Sequence, residues 1–157
     1  MNHPKILSDR FREVMLNGTW IANTNFKDQL SQVSCRQATS KVGELTTIAN
    51  LTFHINYYIA GVLQVLNGGS LDIRDKFSFD CPSISTAEEW ETMKNDLYKN
   101  ADLFAAAVEL LPGEKLDEGF IDEKYGTYLR NIEGMIEHCY YHLGQVVLIR
   151  KMIGTLS

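Results

Sequence analysis

Apolar residues recur three and four positions apart along most of this chain, the period of a helix with one buried face. From Pro4 to Leu16, the positions Leu7, Phe11 and Val14 mark such a face, and Asn17-Gly18 closes the segment. Pro4 suits a first helical turn, where a missing N–H costs nothing. Thr19 to about Ser31 is polar and irregular, anchored by Trp20, Ile21 and Phe26. A long helix is predicted from about Ser34 to Leu66. Val42, Leu45, Ile48, Ile55, Ile59, Val62 and Leu66 share its stripe, and Asn67-Gly68-Gly69 ends it.

Ser70 to Ser83 reads as a long loop in which Phe77, Phe79 and Pro82 pack down over something. Ser85 or Thr86 caps the next helix, with Glu88 and Glu89 in its first turn. Trp90, Met93, Leu97, Ala101, Phe104, Val108 and Leu111 form its seam, which Pro112-Gly113 breaks. The last helix is predicted from about Asp122 to Ile153. Its seam is Leu129, Ile132, Ile136, Cys139, Leu143, Val146 and Ile153, and Arg150 falls on the same stripe. The pattern predicts an all-α fold, an antiparallel four-helix bundle forming one domain over residues 1–157.

Composition narrows the function classes. The chain has 157 residues, 45% hydrophobic and 22% charged, with a formal net charge of −5. It is long enough to bury a core without staples. With no stripe of Lys and Arg to neutralise a phosphate backbone, a nucleic-acid partner is not expected. Three dispersed cysteines, Cys35, Cys81 and Cys139, do not make a disulfide framework and fit a reduced, cytoplasmic setting. The N-terminal stretch lacks a signal-type apolar run, and no segment reaches the ~18–20 apolar residues of a membrane span.

The chemistry sits in "EHCYYHLGQ", residues 137–145. The chain has four histidines, and two of them, His138 and His142, lie four apart, so on a helix they project from successive turns of one face. They flank the seam residues Cys139 and Leu143 and can chelate one metal ion. His54, beside Ile55 on the second helix, holds the same kind of position, and the bundle can bring it opposite the pair. Three neutral imidazoles with an open position are a catalytic coordination set of Zn²⁺ or Ni²⁺ type. Taken alone, His54 also reads as a hydrogen-bonded core residue. His3, near the terminus, reads as solvated.

Around the histidines, Gln145 reads either as a surface residue or as a group orienting a ligand or substrate. Tyr58 and Tyr141 read as rings packed near the bundle end or as hydrogen-bond donors to a bound water or substrate. Gly61 and Gly134 imply close helix approach or room beside a metal, because mid-helix glycine costs about 1 kcal/mol against alanine. Glu137 reads as solvated and Cys139 as a core thiol. A di-iron carboxylate site fails on spacing, since Met135 and Leu51 stand three before His138 and His54. The His-Glu-x-x-His, glycine-rich phosphate-loop and Gly-x-Ser-x-Gly motifs do not occur.

The histidine midway along the second helix, "LTFHINYYIAG", followed by a late "HCYYHLGQVVLIRK", resembles the DinB/YfiT-like superfamily. The resemblance spans nearly the whole chain, including "NGTWIANTNFKDQL", and its most specific part is His-x-x-x-His-x-Gly-Gln. It implies a four-helix bundle with His54, His138 and His142 as metal ligands, nickel or zinc as the metal, and a homodimer. Some relatives are metal-dependent transferases of low-molecular-weight thiols such as bacillithiol, and others are isomerases or hydrolase-like. The expectation is therefore a metal-dependent enzyme acting on a small molecule, of thiol transferase or hydrolase type. The alternative is a non-catalytic metal-binding or dimerising bundle of structural or stress-related role. Tyr58, Tyr141 and Gln145 are the candidate pocket residues, and no acid or base is assigned as catalytic.

Overall fold

A computed structural model describes residues 2–155. The described residues are helical, with no strand beyond an isolated β-bridge pairing Gly119 with Thr127. The helices are α1 (His3–Arg12), α2 (Phe26–Ser31), α3 (Cys35–Thr39), α4 (Ile48–Leu66), α5 (Ala87–Glu109) and α6 (Tyr128–Thr155). A π-helical turn, Glu13–Asn17, prolongs α1, and short 3-10 turns punctuate the loops. None of the described helices is long and apolar enough to cross a membrane.

α5 lies against α1 and α4, and α6 lies against α4 and α1. The apolar seams meet between them: Leu7, Phe11, Ile55, Ile59, Leu97, Phe104, Ile132 and Val146 are fully buried. Each such side chain contributes roughly 1.5–3 kcal/mol by leaving water. Among the described residues most polar groups inside are paired, and Tyr98 Oη is a buried one without a hydrogen-bond partner. Trp90 Nε1 donates to the Val33 carbonyl at 2.7 Å, and Ser8 Oγ to the Ala105 carbonyl at 2.7 Å. Arg12 bridges α1 to Glu109 on α5 at 2.7 Å.

The predicted helix Ser34–Leu66 is two helices. Ser34 and Gln37 form a capping box that starts α3. The chain then leaves helical geometry, with Gly43 in the left-handed region at φ +55°, before Thr47 caps α4 by accepting from the Asn50 N–H. Val42 stays buried but Leu45 is turned out. The stretch expected to be irregular holds α2, capped by the Asn25 side chain on the Asp28 N–H at 2.9 Å. Phe26 is buried, as an anchor should be, whereas Trp20 and Ile21 are 84% and 65% exposed.

α5 begins as expected, with Thr86 and Glu89 forming a capping box. α6 starts later than expected. Asp122 caps a 3-10 turn, Glu123–Tyr125, and Gly126 at φ +69° redirects the chain before Tyr128. Arg150 is partly buried and donates to Gln29 Oε1 at 2.6 Å and Gln32 Oε1 at 2.5 Å, tying α6 to the α2 region.

Candidate metal centre

Two side chains of the site come from α6 and one from α4. His138 and His142 stand one turn apart on α6, and Cys139 and Leu143 beside them lie in the core. α4 packs against α6 and delivers His54, 6% exposed, to the same point. His142 Nε2 is 2.8 Å from His138 Nε2, and His54 Nε2 is 3.2 Å from it. One ligand nitrogen from each ring lies within 4.8 Å of the others.

Hydrogen bonds on the far sides of two rings set their tautomers. His54 Nδ1 is 3.1 Å from the Ser78 carbonyl, and His142 Nδ1 is 2.6 Å from Gln145 Oε1. Both partners are acceptors, so each Nδ1 carries the hydrogen and each Nε2 presents a lone pair inward. Two lone pairs aimed at a third nitrogen repel unless a proton or a cation lies among them. Nitrogens held ~2.0–2.1 Å from a tetrahedral ion stand about 3.3–3.4 Å apart, slightly wider than the spacings here. The donor type, tautomers and convergence therefore fit a divalent metal.

The surroundings favour neutral imidazoles. Burial and the neighbouring His142 and His54 push His138 down to about 4. Burial also lowers His54, with His142 adding and the Ser78 carbonyl and Asp75 opposing. His142 is lowered by burial against the opposing pull of Gln145. Near neutral pH all three rings are unprotonated, the form that can ligate.

The loop after α4 closes one side. Tyr57 Oη donates to the Arg74 carbonyl at 3.0 Å and accepts from the Arg74 N–H at 2.8 Å. Tyr58 Oη donates to Asp75 Oδ1 at 2.9 Å. Gly61 allows this approach: a Cβ there would stand 2.6 Å from two Ile73 side-chain carbons. So anchored, the loop lays Phe79 on the His54 ring, with centroids 4.0 Å apart and planes at 15°.

The six residues singled out from sequence divide into two groups. His54, His138 and His142 come together. Tyr58 lies edge-on to His54 and His138 and lines a cavity of about 440 Å³ that His138 also lines. Gln145 and Tyr141 stand on the other side of His142, and neither lines that cavity. Gln145 orients the His142 ring, while Tyr141 is 64% exposed with its ring edge-on to His142. His3 is exposed and does not belong to the cluster. Glu137 is exposed and pairs with Arg130 at 3.1 Å. Cys139 is fully buried, which raises its thiol pKa well above the ordinary range.

Ser78 and Asp75 are the site neighbours that the sequence did not single out, whereas Phe79, expected to pack down over something, lies on His54. Ser78 acts through its backbone, which no side-chain pattern announces. For Phe79 the available signal was an apolar residue in an otherwise polar loop. A second cavity, of about 490 Å³, opens between α4, α5 and Pro82–Ile84, with no histidine in its lining. No family model matches the chain, and neither a curated protein nor a solved structure matches it.

Proposed function

We propose that this chain is a metal-dependent enzyme of DinB/YfiT-like four-helix-bundle type, with His54, His138 and His142 holding a nickel or zinc ion. The observation that carries the reading is the meeting of three Nε2 atoms from two helices, two with their lone pairs fixed inward. A divalent ion bound there supplies a lowered pKa to a water or thiol, making a nucleophile near neutral pH. Thiol transfer to a small electrophile is the first reaction assigned, and hydrolysis the second. The reading includes a homodimer, as the sequence resemblance implies, and a cytoplasmic setting, as the dispersed cysteines suggest.

This chain's own residues do the positioning. Ser78 and Gln145 hold the His54 and His142 rings. Phe79 covers His54 and keeps bulk water from that face. Tyr58, hydrogen-bonded to Asp75 beside His138, can pass a hydrogen bond to a reactant entering the cavity.

The test is metal analysis of protein purified without added metal, with His142→Ala alongside. About one equivalent of nickel or zinc is expected in the parent, with a loss of more than about a hundredfold in affinity in the variant, by chelator competition. Unchanged metal content in a folded His142→Ala protein rejects the site. Cobalt substitution gives a second readout, because ligation by the three rings produces visible bands that each His→Ala variant must alter.

A further inference from the structure

The cavity that meets the site at His138 has a marked asymmetry of lining. Val62, Leu71, Phe120 and Met135 make its apolar walls. Lys124 and Arg130 also line it, and the carboxylate among the lining residues is Asp75, whose Oδ1 already accepts from Tyr58. Two cations to one engaged carboxylate reverses the balance of the chain, where 20 acidic residues outnumber 15 basic ones.

Arg130 is placed by α6 itself. Its guanidinium lies beside Gly134, where a Cβ would stand 3.5 Å from Nη1, and it reaches on to Glu137 at 3.1 Å. Gly134 and Glu137 lie within about one turn of His138, so the guanidinium stands over the same stretch of α6 as that residue. Lys124 is held loosely, 3.5 Å from Asp122 and over the Tyr125 ring at 4.8 Å. The pairs with Glu137 and Asp122 are exposed. Such exposed pairs contribute little, so an entering anion can displace or share them.

We propose that this cavity receives organic anions: an apolar body lies along Val62, Phe120 and Met135, a carboxylate is held by Arg130 and Lys124, and the reacting end points toward His138. That a reacting end faces His138 rests on the metal-enzyme reading, but the anion preference itself needs no metal. A guanidinium suits a carboxylate because two parallel N–H donors match its two oxygens.

The test compares 4-phenylbutyrate with its neutral isostere 4-phenylbutyramide by calorimetry, on metal-loaded and metal-stripped protein. The carboxylate is expected to bind roughly three- to tenfold more tightly in both forms, a preference that shrinks with added salt. The double variant K124Q/R130Q, substituted at two exposed positions, should bind both compounds alike while its circular dichroism and metal content stay as in the parent. Equal affinity for the two probes in the parent overturns the proposal, as does a preference that survives in K124Q/R130Q. A preference that vanishes when metal is stripped overturns it too, because the carboxylate would then be a metal ligand. Metal content in the same samples reports separately on the histidine site, so the two readings fail independently.

Discussion

The candidate centre has two walls of different construction. The α6 wall is one helix: His138, His142 and Gln145 are placed relative to one another by the helical repeat alone. The loop wall, Ser70 to Ser83, has no helix to order it beyond a 3-10 turn at Asp75–Phe77. Contacts from α4 hold it, among them two hydrogen bonds to Tyr57, one to Tyr58, one from Gln64 to Asp72, one from His54 to the Ser78 carbonyl, and the close fit of Ile73 on Gly61. A metal site needs its donors fixed to a fraction of an ångström. One wall gains that accuracy from periodicity, and the other from a handful of anchors on α4.

Gln145→Ala removes the acceptor that fixes the His142 ring, and metal affinity should fall about 10–100-fold by chelator competition. Little change would mean that α6 alone fixes the ring. From the loop side, Gly61→Ala drives a methyl into Ile73. The strain costs about 1–3 kcal/mol, offset in part by ~1 kcal/mol of helix propensity. Urea unfolding should show a net loss, with faster amide exchange confined to residues 70–80. Unaltered exchange there would show that Gly61 does not seat the loop.

The metal-free protein should also respond to acid. An imidazole held below its ordinary pKa of 6.5 stays neutral while the unfolded chain takes up protons. Stability from His138 is thus complete above about 6.5 and is lost as pH falls toward about 4, and thermal melts across that range should drop. A flat profile would show that the ring protonates freely in the folded state. The smallest effect expected is Gly144→Ala. A Cβ there meets no atom within 4 Å, so up to ~1 kcal/mol of stabilisation should follow, with metal affinity intact.

The two walls also differ in how far they could be read from sequence. His138 and His142 at a four-residue spacing were legible because a helix makes neighbours of such positions. The arrival of His54 is tertiary and followed only from assuming that α4 and α6 pack. The loop wall was opaque: its contact to His54 is a carbonyl, and only Phe79 hinted at a cover. All-helical character was plain from the 3–4 periodicity, but the break between α3 and α4 was not. Val42, Leu45 and Ile48 keep helical spacing across a turn that Gly43 and Thr47 impose. α2 had its signal in Asn25-x-x-Asp28, which the surrounding polarity obscured. Trp20 and Ile21 were misjudged because large apolar residues read as buried, yet here both face solvent. Gly134 illustrates the same limit: its nearest partner is Arg130 of its own helix, not a neighbouring one.

The Ser78 carbonyl leaves one lasting consequence. An amide oxygen belongs to every residue type, so no codon change at position 78 can delete the acceptor that His54 uses. Drift can reach that contact only by rerouting the backbone, through insertion, deletion or a lost anchor. The Gln145 contact, by contrast, lies one substitution away from disappearing.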